Sequence, residues 1–298
     1  MHVLPPRRIT SRGVAMTLLA ALLLAVGVFA ATSGAGARAA TTHPRTAASR
    51  HRTGRRARVT KPTIVLVHGA WANTSSWDGV IQRLNAAGYT AYAPVNPLQS
   101  LKGDSETIAD FLQTIKGPIV LVGHSYGGMV ITNAAYGNPN VKALVYVDAF
   151  APAQGENALH LDGLAPGSVL SGPPAQTFTP VSYPGAPAGD AIEYLQKAAF
   201  EQGFANGLPA KEAATLWATQ AAPVQSSLTD PSGPPAWKTI PSWYVLGTAD
   251  HAIPPAVQLY MAQRIHAHIT KVDADHLSMI EAPGVVTNVI EQAANATS

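Results

Sequence analysis

Short, continuous apolar runs alternate along the chain with longer stretches of helical spacing. Thr63 to Val67 (TIVLV), Ile119 to Val122 (IVLV) and Val141 to Val147 are rich in β-branched residues, as expected of strands buried on both faces. Ser75 or Ser76 caps an expected helix from Trp77 to Ala87, which places Val80, Ile81 and Leu84 on one face and ends at Gly88. Tyr89 to Pro94 reads as a second, shorter strand. Asp104 or Ser105 starts a helix through Ile108, Phe111, Leu112 and Ile115, stopped by Gly117-Pro118. Another helical run opens at Met129 and reaches Tyr136. Buried strands alternating with amphipathic helices predict an α/β protein, with a mostly parallel central sheet flanked by helices.

The rhythm stops at Phe150 and resumes near Thr239. Ala151 to Lys238 is rich in Pro, Gly and Ala, and helical spacing shows only over Asp190 to Gln202 and Pro209 to Thr219. Beyond it come a strand, Ser242 to Leu246, a helix, Pro255 to Ile265, a strand, Ile269 to Val272, a loop, Asp273 to Leu277, and a last helix, Pro283 to Ala293. The same pattern on both sides marks residues 151–238 as an inserted, mainly helical cap on a core formed by residues 62–150 and 239–298.

Charge sets the amino-terminal part apart. Residues 1–61 hold 11 of the 20 Lys and Arg and none of the 17 Asp and Glu, so the remainder carries 9 basic and 17 acidic side chains, a balance of −8. The basic pI therefore reports the leader, and the globular part offers no basic patch for nucleic acid. Arg7, Arg8 and Arg12, the apolar run Met16 to Ala31 and the small-x-small sequence Ala37-Arg38-Ala39 predict an export signal over residues 1–39 and a secreted or extracytoplasmic protein. The apolar run is short for a membrane span, so no stable membrane insertion is expected after signal removal. Arg7-Arg8 is compatible with twin-arginine export, although Ile9-Thr10 continues that motif poorly. Residues 40–61, with six arginines and little apolar periodicity, read as a basic flexible linker. The absence of cysteine excludes disulfides and thiolate chemistry.

The chemistry-bearing sequence is Gly123-His124-Ser125-Tyr126-Gly127, set between an apolar strand and a helical run. A G-x-S-x-G sequence in that context turns sharply and lifts the serine hydroxyl above the sheet, which makes Ser125 a candidate nucleophile. A serine needs a base, and the base an orienting acid. His276 follows the last strand and so reaches the same sheet edge. Asp250, in the turn after the preceding strand, is the favoured acid; Asp148, after Val147, is its rival, with a hydrogen-bonding role as the alternative. The amides of Tyr126 and Ala70 are the expected oxyanion donors, each of a kind that contributes about 3 to 4 kcal/mol when a side chain supplies it. Trp71 and Leu277 are candidates for the substrate pocket, with packing as the alternative for Trp71. His124 and Glu281 read as structural, the latter as a helix-start charge, and Asp275 as solvated. The histidines at 266 and 268 lack carboxylate partners at ligand spacing, so no metal site is expected.

HGAW at 68–71, GHSYGG at 123–128, GTAD with the following IPP at 247–255, and DHLSMIEAP at 275–283 together resemble the α/β-hydrolase superfamily. They are most similar to its branch of plant methylesterases, hydroxynitrile lyases and bacterial serine esterases. The resemblance implies the α/β-hydrolase fold with a cap, no cofactor, and the roles given above for Ser125, Asp250, His276, Ala70 and Tyr126. The lyases of the branch carry a lysine after the histidine and a threonine in the first loop, where this chain has Leu277 and Gly69. Dehalogenases and epoxide hydrolases of the superfamily carry an aspartate in place of Ser125. The expectation is an exported serine carboxylesterase acting on a small to medium ester through an acyl-enzyme. A cofactor-free perhydrolase or lyase using the same triad, or a ligand-binding hydrolase fold without turnover, stands as the alternative.

Overall fold

The computed structural model describes residues 61–297; the expected signal and most of the expected linker lie outside the described residues. Six parallel strands form the central sheet: β1 (Thr63–Val67), β2 (Ala91–Tyr92), β3 (Ile119–His124), β4 (Val141–Val147), then β7 (Ser242–Gly247) and β8 (His268–Val272), in the order β2-β1-β3-β4-β7-β8. A separate antiparallel hairpin, β5 (Phe178–Val181) with β6 (Ile192–Leu195), lies in the inserted region. β3 and β7 are buried at every position, which explains their lack of polar alternation. Register aligns Val67 with Gly123, His124 with Val147, Val147 with Val245, and Gly247 with Val272. Every loop after these strands therefore leaves from one edge of the sheet.

The main helices are α1 (Asp78–Ala86), α2 (Leu101–Gln113), α3 (Tyr126–Ala134), α4 (Ala210–Ala218), α5 (Pro255–Arg264) and α6 (Pro283–Ala296). α2 begins before the expected Asp104, because Ser100 caps it by accepting from the Gly103 amide at 3.1 Å. Asp104 is turned inward, where it accepts from the Gln99 amide at 3.0 Å and from the Tyr126 hydroxyl at 2.9 Å. α3 starts directly after Ser125, three residues earlier than the apolar run suggested. Among the described residues no helix is long and apolar enough to cross a membrane.

The inserted region departs from the expected pattern: besides the β5–β6 hairpin it holds short helices at Ala158–Asp162, Pro174–Thr177 and Gln225–Thr229 that helical spacing did not mark. The helix expected over Asp190 to Gln202 is divided into strand β6, a short helical turn at Lys197–Ala199 and a π-helical stretch at Phe200–Phe204. Ile192 bridges to Val224, and the Glu193 amide donates to Pro223 O at 2.9 Å, so β6 is held extended between β5 and the chain returning from α4. Asp190 fixes the turn into β6, accepting from Ser226 Oγ at 2.7 Å and from the Tyr183 hydroxyl at 3.0 Å. α4 fills the other expected helix within a residue at each end.

Candidate active site

Ser125 sits at the junction of β3 and α3 with φ 52° and ψ −124°, a conformation costly for a residue with a side chain. Its backbone is held from several sides. The Ser125 amide donates to Val147 O at 3.3 Å, and its carbonyl accepts from Gly128 and Phe150 amides at 2.9 and 3.2 Å. Close approach explains the neighbouring glycines. A Cβ at Gly127 would lie 2.5 Å from Val67 O, and one at Gly69 would lie 2.6 Å from Ser125 Cβ. The first-strand loop is thus pressed onto the elbow.

His276, in the loop after β8, is fully buried. Its Nδ1 donates to Asp250 Oδ2 at 2.8 Å. Asp250 Oδ1 accepts from the Ala252 and Ile253 amides at 2.7 and 2.8 Å, and Oδ2 also accepts from Gln258 Nε2 at 2.7 Å. Burial pushes the Asp250 carboxyl well above the usual carboxylate range, and the Ile253 and Ala252 amides act against it. With four donors on two oxygens, no acceptor remains for a proton on Asp250, and the shared proton belongs on His276 Nδ1. Burial lowers the His276 imidazole to about 3, partly offset by the charge of Asp275, so it is neutral and its Nε2 lone pair is free. Nε2 is sealed from solvent and has no hydrogen-bond partner among the described residues.

The structure brings His276 and Asp250 into contact and places Asp148 elsewhere. Asp148 Oδ1 accepts from the Gly247 amide at 2.8 Å, and Oδ2 accepts from the Ser278 hydroxyl and amide, at 2.5 and 3.2 Å. It ties β4 to the turn after β7 and to the segment after His276, a hydrogen-bonding role. His124 is also placed. Its Nε2 donates to His276 O at 2.9 Å, and the two rings lie 4.8 Å apart. Burial, reinforced by His276, holds the His124 imidazole well below its ordinary range. His124 thereby fixes the backbone of His276.

Of the expected oxyanion donors, Tyr126 occupies the first turn of α3, where its amide has no intrahelical acceptor. The Ala70 amide makes no hydrogen bond among the described residues, whereas the next one, Trp71 N–H, is taken by Ala221 O at 2.7 Å. Trp71 has φ 59° and is buried. Its indole donates to Glu193 O at 2.6 Å, and its ring stacks on Phe178 and meets Phe204 edge-on. It is a bracket between the first loop and the cap. Leu277 is buried with its amide on Asp275 Oδ1 at 2.8 Å. An apolar cavity of about 630 Å³ lies within the inserted region itself, lined by Leu159, Leu170, Phe178 and Leu228 among others, not by Trp71 or Leu277.

One expectation is corrected. Asp275 is buried rather than solvated: it accepts from the Gly207 amide of the cap at 2.5 Å. Glu281 stands in the first turn of a short helix, Ser278–Glu281, as expected, and in addition accepts from the Asp275 amide at 3.0 Å, with its carboxyl beside that of Asp275. Phe204, from the π-helical stretch, packs edge-on against His276 with ring centres 4.8 Å apart. Nothing in local sequence distinguished Phe204, because its position depends on how the insertion folds back.

The model of the alpha/beta hydrolase family matches residues 64–289, spanning the sheet, the elbow and both loops that carry Asp250 and His276. The chain belongs to the alpha/beta hydrolase family. Within this family the chain is 36% identical over 110 residues to a carbendazim hydrolyzing esterase of a Nocardioides species, a match covering 33% of this chain and 46% of that protein. The match thus spans under half of that relative's length. An alpha/beta hydrolase of Aspergillus novofumigatus, nvfD, is 27% identical over 257 residues, covering 78% of this chain and 97% of the other. The crystal structure of a pyrethroid hydrolase from Sphingobium faniae superposes with a TM-score of 0.62 at 24% identity, covering 80% of this chain and 98% of that one. That likeness shows a shared alpha/beta hydrolase fold.

Proposed function

We propose that this protein is a serine carboxylesterase that hydrolyses a small to medium ester through an acyl-enzyme. The observation that carries the reading is the buried Asp250–His276 pair at the sheet edge that also presents Ser125. The partial match to a carbendazim hydrolyzing esterase supports it.

In this reading a neutral His276 receives the Ser125 proton at Nε2 as Oγ attacks the ester carbonyl, while Asp250 holds Nδ1–H and stabilises the imidazolium that forms. The amides of Ala70 and Tyr126 stabilise the tetrahedral oxyanion. His276 next protonates the leaving alcohol; water then repeats the sequence and releases the acid. Catalysis requires His276 Nε2 to be opened to substrate, because it is sealed at rest. Ser125→Ala should reduce turnover of a short-chain nitrophenyl ester by at least about 10³-fold. Undiminished activity would sink the mechanism. Export is part of the same proposal, supported by the leader's charge and apolar pattern; sequencing the amino terminus of protein recovered outside the cell tests it, with a start near Ala40 expected.

A further inference from the structure

The loop carrying His276 is joined to the cap by two carboxyl groups for which the triad has no use. Asp275 Oδ2 accepts from the Gly207 amide at 2.5 Å and Oδ1 from the Leu277 amide at 2.8 Å. Asn206, with its amide nitrogen toward Asp275, donates to Oδ2 at 3.2 Å, and its oxygen accepts from His251 Nδ1 at 3.0 Å. Glu281 accepts from the Asp275 amide, and its carboxyl lies beside that of Asp275, placed to bond to it when one of the two is protonated. It also lies flat against the cap backbone, since a Cβ at Gly207 would stand 2.2 Å from Glu281 Oε2. Residues 206 and 207 stand two and three positions beyond Phe204, the last residue of the π-helical stretch, which covers His276. π-Helical turns recur at functional sites because they hold a side chain out of the regular helical register.

We propose that Asp275 and Glu281 are positioning residues, a carboxyl clamp that seats Phe204 of the cap over His276 and so limits the size of ester that reaches the imidazole. The effect on substrate rests on the esterase reading; the clamp itself does not. Burial, then the hydrogen bond and charge of Asp275, raise the Glu281 carboxyl to about 8. The charged groups acting on it are Asp275 in its own loop and Asp148 at the end of β4, and from the cap it faces the Gly207 backbone. A protonated Glu281 can bond to the Asp275 carboxylate. Once ionised it repels both neighbouring carboxylates, and the clamp loosens.

Amide hydrogen exchange of residues 200–207, corrected for the intrinsic base-catalysed rate, reads the clamp without any turnover. In the wild type, exchange should rise by about tenfold as pH passes from 7 to 9. Glu281→Gln, which cannot ionise, should flatten that rise while matching the wild-type melting temperature at the acid end, near pH 4, and Glu281→Ala should exchange faster at both pH values. In E281A the ratio of kcat/KM for a naphthyl ester to that for nitrophenyl acetate should rise at least threefold, with kcat on the acetate little changed. If wild type and E281Q respond alike to pH, or E281A exchanges like wild type, the clamp is overturned. If exchange rises and the ester ratio does not, the proposed limit on substrate size is overturned. Loss of all esterase activity in the wild type would instead overturn the functional reading and leave the exchange result standing.

Discussion

Replacing Asp250 by Asn changes one oxygen to an NH2 in a site where both oxygens face only donors. If the NH2 takes the Oδ1 position it meets the Ala252 and Ile253 amides, two backbone donors that cannot turn away. Leaving two buried donors unpaired costs about 1 to 3 kcal/mol each. If it takes the Oδ2 position it meets Gln258 and His276, and both can adapt. Gln258 Oε1 is buried without a partner among the described residues, so turning its amide supplies an acceptor at the expense of the 2.9 Å bond from Nε2 to Ile253 O. His276 can switch tautomer, so that Nδ1 accepts and Nε2 carries the proton. The second arrangement is the cheaper, at about 1 to 3 kcal/mol for the single bond displaced. It also leaves the imidazole unable to take the Ser125 proton. Asp250→Asn should therefore melt cooperatively, losing about 1 to 3 kcal/mol in denaturant titration, and lose about 10⁴-fold in kcat on a nitrophenyl ester, the magnitude of the corresponding change in the serine protease triad. Activity within tenfold of wild type would refute the assignment of Asp250 as the orienting acid, and a collapse of activity in Asp148→Asn alone would transfer that role to Asp148.

Gly69→Ala should lower kcat/KM by at least about 100-fold and stability by about 1 to 3 kcal/mol, read by ester turnover and chemical melting, because its Cβ would stand 2.6 Å from Ser125 Cβ. Stability should also fall on acidification from pH 6.5 toward 3. In that window an unfolded His276 takes up a proton that the folded residue, held at about 3, refuses, so the unfolded state binds more protons and stability rises with pH. Glu281 has the opposite sign: held at about 8 in the fold, it keeps a proton that the unfolded chain has released, and its contribution falls as pH rises from about 4.5 to 8. Denaturant midpoints of wild type and E281Q from pH 4 to 9 should converge at the acid end and separate in favour of E281Q at the alkaline end.

Much of the core was legible because strands buried on both faces leave continuous β-branched runs, and β1, β3 and β4 lie where those runs stand. The position of Ser125 followed from a local requirement, a small-residue turn between strand and helix. His276 and Asp250 followed from their places after strands, since parallel register carries those loops to one edge. What escaped was decided by contacts between distant segments. Ile192 and Tyr194 alternate as a strand would, yet flanking helical spacing masked them until pairing with β5 fixed the backbone. Asp275 reads as a surface residue from its charge, and only the return of Gly207 from the insertion buries it. His124 became a support for His276 through a bond spanning 152 positions, which no local pattern announces.

Treating the protein with a fluorophosphonate and mapping the adduct tests directly whether Ser125 is the nucleophile. One phosphonyl group per chain is expected, on the peptide holding Ser125, with esterase activity lost in proportion to labelling. Labelling should be abolished by S125A and slowed strongly by substitution of His276. An adduct on another residue, or full activity in protein labelled at Ser125, would contradict that role.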